Sequence, residues 1–151
     1  MDLLKEIKVV DKIKELKIED KGIIEKADIK FEEGLNIIIG LNGSGKTTVL
    51  KAIEENSENV QELEEFKKYV FKGEKRLLEL LGIIRTELDE CCFLADDCLS
   101  IIEGEKRTLI KELAETKNQI VITTRDEELA DWADKNTEAN IIRTRNFKLK
   151  R

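Results

Sequence analysis

The chain has 151 residues, which suits one domain with a real core. It carries 27 Lys and Arg against 33 Asp and Glu, a formal charge of −6, so its surface as a whole is no nucleic-acid magnet, though a local basic patch stays open. No run approaches the roughly 18 consecutive apolar residues of a membrane span, and MDLLKEIKVV lacks the uncharged apolar stretch of a signal peptide, so a cytoplasmic protein without a membrane partner is expected.

Taken in chain order, residues 12–18 (KIKELKI) and 27–31 (ADIKF) alternate polar and apolar, which predicts two strands with one buried face. Gly34 punctuates the step into Leu35–Ile39, a short apolar run of buried-strand type. Residues 46–55 read as a helix with apolar residues on one side, and 56–61 as a break. Residues 62–70 form a charged helical piece, Lys72 and Gly73 interrupt it, and 74–89 form an amphipathic helix. A strand over Cys91–Ala95, a helix over 103–116, a buried strand over 119–123, a helix over Asp126–Ala133 and a last strand over Asn140–Arg143 follow. This alternation predicts an α/β fold with a mainly parallel core sheet. There is no internal repeat, low-complexity tract or flexible linker, so residues 1–151 are expected to form one domain. Cys91, Cys92 and Cys98 are read as reduced thiols; a metal site is disfavoured, because there is no histidine and neighbours on a strand point to opposite sides.

The run IIIGLNGSGKTT, residues 37–48, carries the chemistry. Gly40, Gly43, Gly45, Lys46 and Thr47 fit G-x-x-x-x-G-K-[ST] without a gap. Glycines let the backbone turn tightly and aim its N–H groups at phosphate oxygens. Lys46 can reach the β- and γ-phosphates, and the Thr47 hydroxyl can ligate magnesium. Asn42, Ser44 and Thr48 complete the cradling set. A helix N-terminus behind the loop adds partial positive charge. Downstream, an apolar strand ends in Asp96 and Asp97. Asp96 is placed to hold magnesium or its water shell, and Asp97 to orient or deprotonate an attacking water.

The segments IIIGLNGSGKTT, FLADDCLS and QIVITTRD together resemble the ABC-type ATPase heads of RecF and the structural-maintenance-of-chromosomes proteins, from about residue 12 to 145. The resemblance implies a P-loop nucleotide-hydrolase fold with an N-terminal β-rich piece and a helical lobe, here reduced to residues 56–90. It implies ATP and magnesium as ligands. It places Arg125 at the switch position, where RecF-like heads usually carry Thr. It puts Ser100–Glu103 at the segment following the acidic pair, where the family usually ends in Asp. Gln61 is the only candidate for the magnesium-contacting Gln, and Lys21 is a partial substitute for a nucleotide-contacting Arg near the N-terminus.

The departures matter equally. Such heads pair head-to-tail, with a signature near LSGGQ closing over the partner's nucleotide. The matching segment is Val70–Arg76, yet Phe71 stands where the serine belongs and Phe has no hydroxyl to donate. A plain turn and helix start is the other reading of that segment. The interval from Lys46 to Gly73 is too short for a coiled-coil arm. The expected protein is thus a miniature ABC-type head that binds ATP and hydrolyses it slowly. It would work as an ATP-dependent homodimer or beside another ATPase subunit, with DNA a partner by family analogy alone. The alternative is an ATP-dependent interaction module with little hydrolysis. A small-molecule kinase would need an arginine-rich lid that is not evident, and no Asn-Lys-x-Asp run marks a GTPase.

Overall fold

The computed structural model describes residues 7–41, 43–58, 61–62, 91–95, 106–115 and 119–150. Its strands are β1 (Ile7–Asp11), β2 (Glu15–Lys21), β3 (Ile24–Lys30), β4 (Leu35–Ile39), β5 (Gln61–Glu62), β6 (Cys91–Ala95), β7 (Gln119–Thr124), β8 (Asn140–Arg143) and β9 (Lys148–Leu149). Its helices are α1 (Lys46–Asn56), α2 (Lys106–Glu115) and α3 (Glu127–Asn136), with a 3-10 turn at Thr144–Asn146.

Six strands form the main sheet in the order β5-β1-β6-β7-β4-β8. The pairings β6–β7, β7–β4 and β4–β8 are parallel, and β1 pairs antiparallel with both β5 and β6. The sheet is mainly parallel, as the alternation of elements predicts. β4 lies between two neighbours and is buried along its whole length, which is why it reads as a continuous apolar run.

The second sheet is the antiparallel set β2-β3-β9. Its inner face carries Leu16, Ile18, Ile24, Ala27 and Ile29. Its outer face sets opposite charges across the strands, with Glu15 opposite Lys30, Lys17 opposite Asp28 and Glu19 opposite Lys26. The strands lie at 15–21 and 24–30 where alternation gives 12–18 and 27–31. Pairing carries both to the hairpin turn at Gly22 and Ile23, whatever the polarity of the residues passed over.

Helix α1 lies between the two sheets. Val49, Leu50, Ala52 and Ile53 share one apolar core with the inner face of the small sheet and with Val10, Ile38, Cys92, Leu94, Val121 and Ile142 of the main sheet. Residues of opposite parity on the main sheet, such as Ile37, Phe93, Ile120 and Ile122, are buried as well. The buried apolar side chains left for that face are Leu109, Ile110 and Leu113 of α2 with Leu129, Ala130 and Ala133 of α3. Cys92 is a buried thiol outside any disulfide. Among the described residues no helix is long and apolar enough to cross a membrane, and no cluster of ligating residues suits a metal. The helical readings of 62–70 and 74–89, and Cys98, lie outside the described residues, apart from Glu62 in β5.

Candidate functional site

The phosphate loop leaves the C-terminal end of β4, in the middle of the parallel part of the sheet. Gly40 N–H donates to the Thr124 carbonyl at 3.2 Å, so the loop's root is fixed to β7 on one side. On the other side the buried Thr144 packs so close that a Cβ on Gly40 would lie 2.1 Å from its Oγ1. Ser44 N–H donates to the Leu41 carbonyl at 3.1 Å and closes a turn within the loop. Gly43 has φ 79 and Gly45 φ 104, left-handed conformations that side chains resist.

Gly45 is also the N-cap of α1. It offers no side-chain cap, and the first helical turn holds no acidic residue. With no capping side chain and no acidic residue there, the dipole of that helix end favours an anion. Lys46 and Thr48 are half-buried there, and Thr47 is exposed. The Ser44 Oγ is buried with no hydrogen-bond partner. Buried hydroxyls are normally satisfied, so an orphan in this loop is a mark of a missing ligand. Geometry, charge and the orphaned oxygen together fit a phosphate chain.

The hairpin of the small sheet reaches the same place. A Cβ on Gly22 would lie 2.9 Å from Thr48 Oγ1, and one on Gly45 would lie 2.9 Å from Ile24 Cγ1. Lys21, beside this turn, forms an ion pair with Glu55 near the other end of α1. Arg125 is exposed directly after β7, whose last residue holds Gly40. β7 separates β4 from β6, and β6 ends at Ala95, the residue before Asp96 in the chain. Gln61 lies in β5 at the far edge of the sheet, four strand spacings from β4, on the order of 20 Å. Asn42, Asp96, Asp97, Ser100–Glu103 and Val70–Arg76 lie outside the described residues.

Sequence reasoning gives no loop-holding role to Thr124 and Thr144, which flank the loop's first glycine from the end of β7 and from the 3-10 turn after β8. No local pattern marks them; their place comes from strand pairing. A concavity of about 600 Å³ opens at the opposite end of β4, lined by Glu33, Glu115 and Glu138 with Lys111, a composition that suits no phosphate.

Comparison with known proteins agrees with this geometry. Residues 15–55, running from β2 through α1, match the family model of an AAA domain. The Septu protein PtuA of Bacillus thuringiensis is 56% identical over 41 residues, 27% of this chain and 10% of that protein. The DNA double-strand break repair Rad50 ATPase of Methanopyrus kandleri is 49% identical over 41 residues, 27% of this chain and 5% of that protein. These matches support an ABC-type ATPase head. The DNA replication and repair protein RecF of Klebsiella pneumoniae, 53% identical over 38 residues, 25% of this chain and 11% of that protein, points to the same RecF and structural-maintenance-of-chromosomes group. The matches span about a tenth or less of these relatives, and the family model covers the loop strand, the loop and the following helix. They support ATP binding there, and magnesium is the usual companion of ATP in such heads.

Proposed function

We propose that this chain binds magnesium-ATP at the phosphate loop and hydrolyses it slowly, as a nucleotide-switched head. The observation that carries the reading is the loop, with two left-handed glycines, an uncapped helix start and the orphaned Ser44 hydroxyl. Backbone N–H groups of Gly43 and of residues 45–48 would cradle the phosphates, the Ser44 N–H being held by the Leu41 carbonyl. Lys46 would balance the β- and γ-phosphate charge. Thr47 and Asp96 would hold magnesium, whereas Gln61, on the far edge strand β5, is placed too far from the loop to join them; the metal would neutralise charge that builds on the phosphate oxygens. Asp97 would take the proton of a water whose oxygen bonds to the γ-phosphorus as the bond to ADP's oxygen breaks. Arg125 would add positive charge at the γ-phosphate end, and Lys21 would reach the nucleotide's flank only by leaving its ion pair with Glu55.

Calorimetry with Lys46→Ala tests the binding half. Losing a charge-assisted contact of this type costs about 1.5–3 kcal/mol, roughly ten- to a hundredfold in affinity. Unchanged affinity overturns the reading. Asp97→Asn tests the hydrolytic half, since an amide cannot accept the water's proton. Binding should persist while phosphate release falls; turnover equal to the parent's removes Asp97 from that role.

Phe71 in the serine position favours a second reading, an ATP-dependent interaction module whose signature surface comes from another subunit. Turnover measured with and without candidate partners separates the two. A role in DNA metabolism is proposed only from the likeness to Rad50 and RecF, and gel-shift assays with duplex DNA, with and without ATP, test it.

A further inference from the structure

We propose that Thr144 is a positioning residue that turns the Ser44 hydroxyl onto a bound phosphate oxygen. β8 runs parallel beside β4 with Arg143 opposite Ile39, so Thr144 and Gly40 are the next residues along. Both chains turn there, one into the 3-10 turn and the other into the phosphate loop. Thr144 is 4% exposed, and the turn is closed by Phe147 N–H donating to the Thr144 carbonyl at 3.0 Å.

One point in space locates both hydroxyls. An ideal Cβ on Gly40 would lie 2.1 Å from Thr144 Oγ1 and 2.4 Å from Ser44 Oγ, so the two oxygens are at most about 4.5 Å apart. The Ser44 oxygen has no partner. From that upper bound a shift of about 1 Å in either oxygen, within the reach of a side-chain rotation, is enough to bring the pair within hydrogen-bond range. A serine hydroxyl has one proton to donate and two lone pairs. With Thr144 O–H donating to it, Ser44 must direct its own proton elsewhere, and a phosphate seated in the loop supplies the acceptor. Accepting one hydrogen bond also strengthens the one it donates. The first glycine of the loop thereby has a second use: with any side chain at residue 40 the two hydroxyls could not approach.

The inference rests on the reading that the loop binds ATP. Its test is calorimetry of magnesium-ATP with the full chain, in the parent and in Thr144→Val, Thr144→Ser, Ser44→Ala and the Ser44→Ala/Thr144→Val pair, beside melting curves without nucleotide. Thr144→Val should bind roughly three- to tenfold more weakly, the scale of one neutral hydrogen bond. Thr144→Ser should bind within about twofold of the parent. In the Ser44→Ala background Thr144→Val should add nothing, because the oxygen it orients is gone. If Thr144→Val does not fold, Thr144→Ala takes its place under the same criteria. Parent-like binding by Thr144→Val overturns the proposal, as does its full effect persisting without Ser44, or Thr144→Ser failing like the valine. A parent that binds no ATP overturns this proposal and the function with it; the other failures leave ATP binding standing.

Discussion

At Gly45 two demands meet in one residue. Its φ of 104 belongs to glycine, and the space beside it is closed by Ile24 Cγ1 at 2.9 Å. Gly43 makes the first demand without the second, since nothing lies within 4 Å of a Cβ placed there. A side chain in such a backbone region costs about 1–3 kcal/mol. Gly43→Ala should lose about that much, and Gly45→Ala more, because a core isoleucine must also give way. Denaturant unfolding of the two variants tests the order; equal losses would show that Ile24 moves freely. The motif makes both glycines legible in the sequence, but not the difference between them, since Ile24 arrives from another sheet.

A pH effect also belongs at this scale. The Lys150 ammonium hydrogen-bonds Asp20 at 2.6 Å and, by that bond first and its charge second, holds the carboxyl below its usual value of 3.8. A lowered folded value contributes stability above the ordinary carboxylate range and loses it as pH falls through that lowered value. Lys150→Met should return Asp20 to its ordinary titration in NMR. An unchanged curve would mean that the bond does not persist in solution.

Among the elements, the base of β4 depends on polar groups inside the sheet. Asn36 is fully buried. Its amide nitrogen donates to the carbonyls of Glu32, Gly34 and Ile120 at 2.9, 3.3 and 3.2 Å, and its oxygen accepts from Glu32 N–H at 2.9 Å and Asn140 Nδ2 at 3.0 Å. Gln119 at the start of β7 does similar work, accepting from Ile13 N–H at 2.9 Å and donating to the carbonyls of Ile13 and Glu32. These two side chains join β4, β7 and β8 to the loops before β2 and β4. Asn36→Leu leaves several buried backbone groups unpaired, at about 1–3 kcal/mol each where water cannot replace the partner. The melting temperature should fall markedly. ATP affinity of the folded protein should stay within a few-fold, because Gly40 lies four residues away, about 13 Å along the strand. A large loss of affinity with little loss of stability would show that the strand's base sets the loop's shape.

The elements also show where sequence reading stops. Leu35–Ile39 and Cys91–Ala95 have the bounds that their apolar runs give, because buried strands contrast with polar flanks; Asn140–Arg143 also keeps its expected bounds, although only Ile142 in it is buried. Asp126 caps α3 by accepting from Leu129 N–H at 3.1 Å, and the helix then runs one turn past Ala133 to Asn136. β5 and β9, two residues each, are set by pairing with β1 and β3 and leave no periodicity to read. The acidic pair, by contrast, is legible only as sequence, in the order strand then Asp96 then Asp97.

For the molecule as a whole, α1 is the joint between its two sheets, and the phosphate loop sits at the end of that joint. The exposed rim of the loop includes Leu41, 75% exposed, and the hairpin's Ile23, 39% exposed. Heads of the resembled group pair through a signature serine, and where Val70–Arg76 is read as that signature Phe71 stands in the serine's position. A missing preorganised donor at a transferring phosphate can cost roughly a hundredfold or more in rate. The isolated chain should therefore stay largely monomeric with ATP and turn over well below an efficient ATPase. Sedimentation with and without ATP, beside a phosphate-release assay, measures both. Phe71→Ser combined with Lys72→Gly should raise ATP-dependent dimerisation or turnover, because it restores the hydroxyl and the backbone freedom of the signature. If the parent already forms a tight ATP-dependent dimer with brisk hydrolysis, Phe71 is compatible with closure. If neither quantity responds to the double substitution, residues 70–76 are a turn and a helix start without a ligand. Partner-stimulated turnover then becomes the measurement that decides whether another subunit supplies the signature surface.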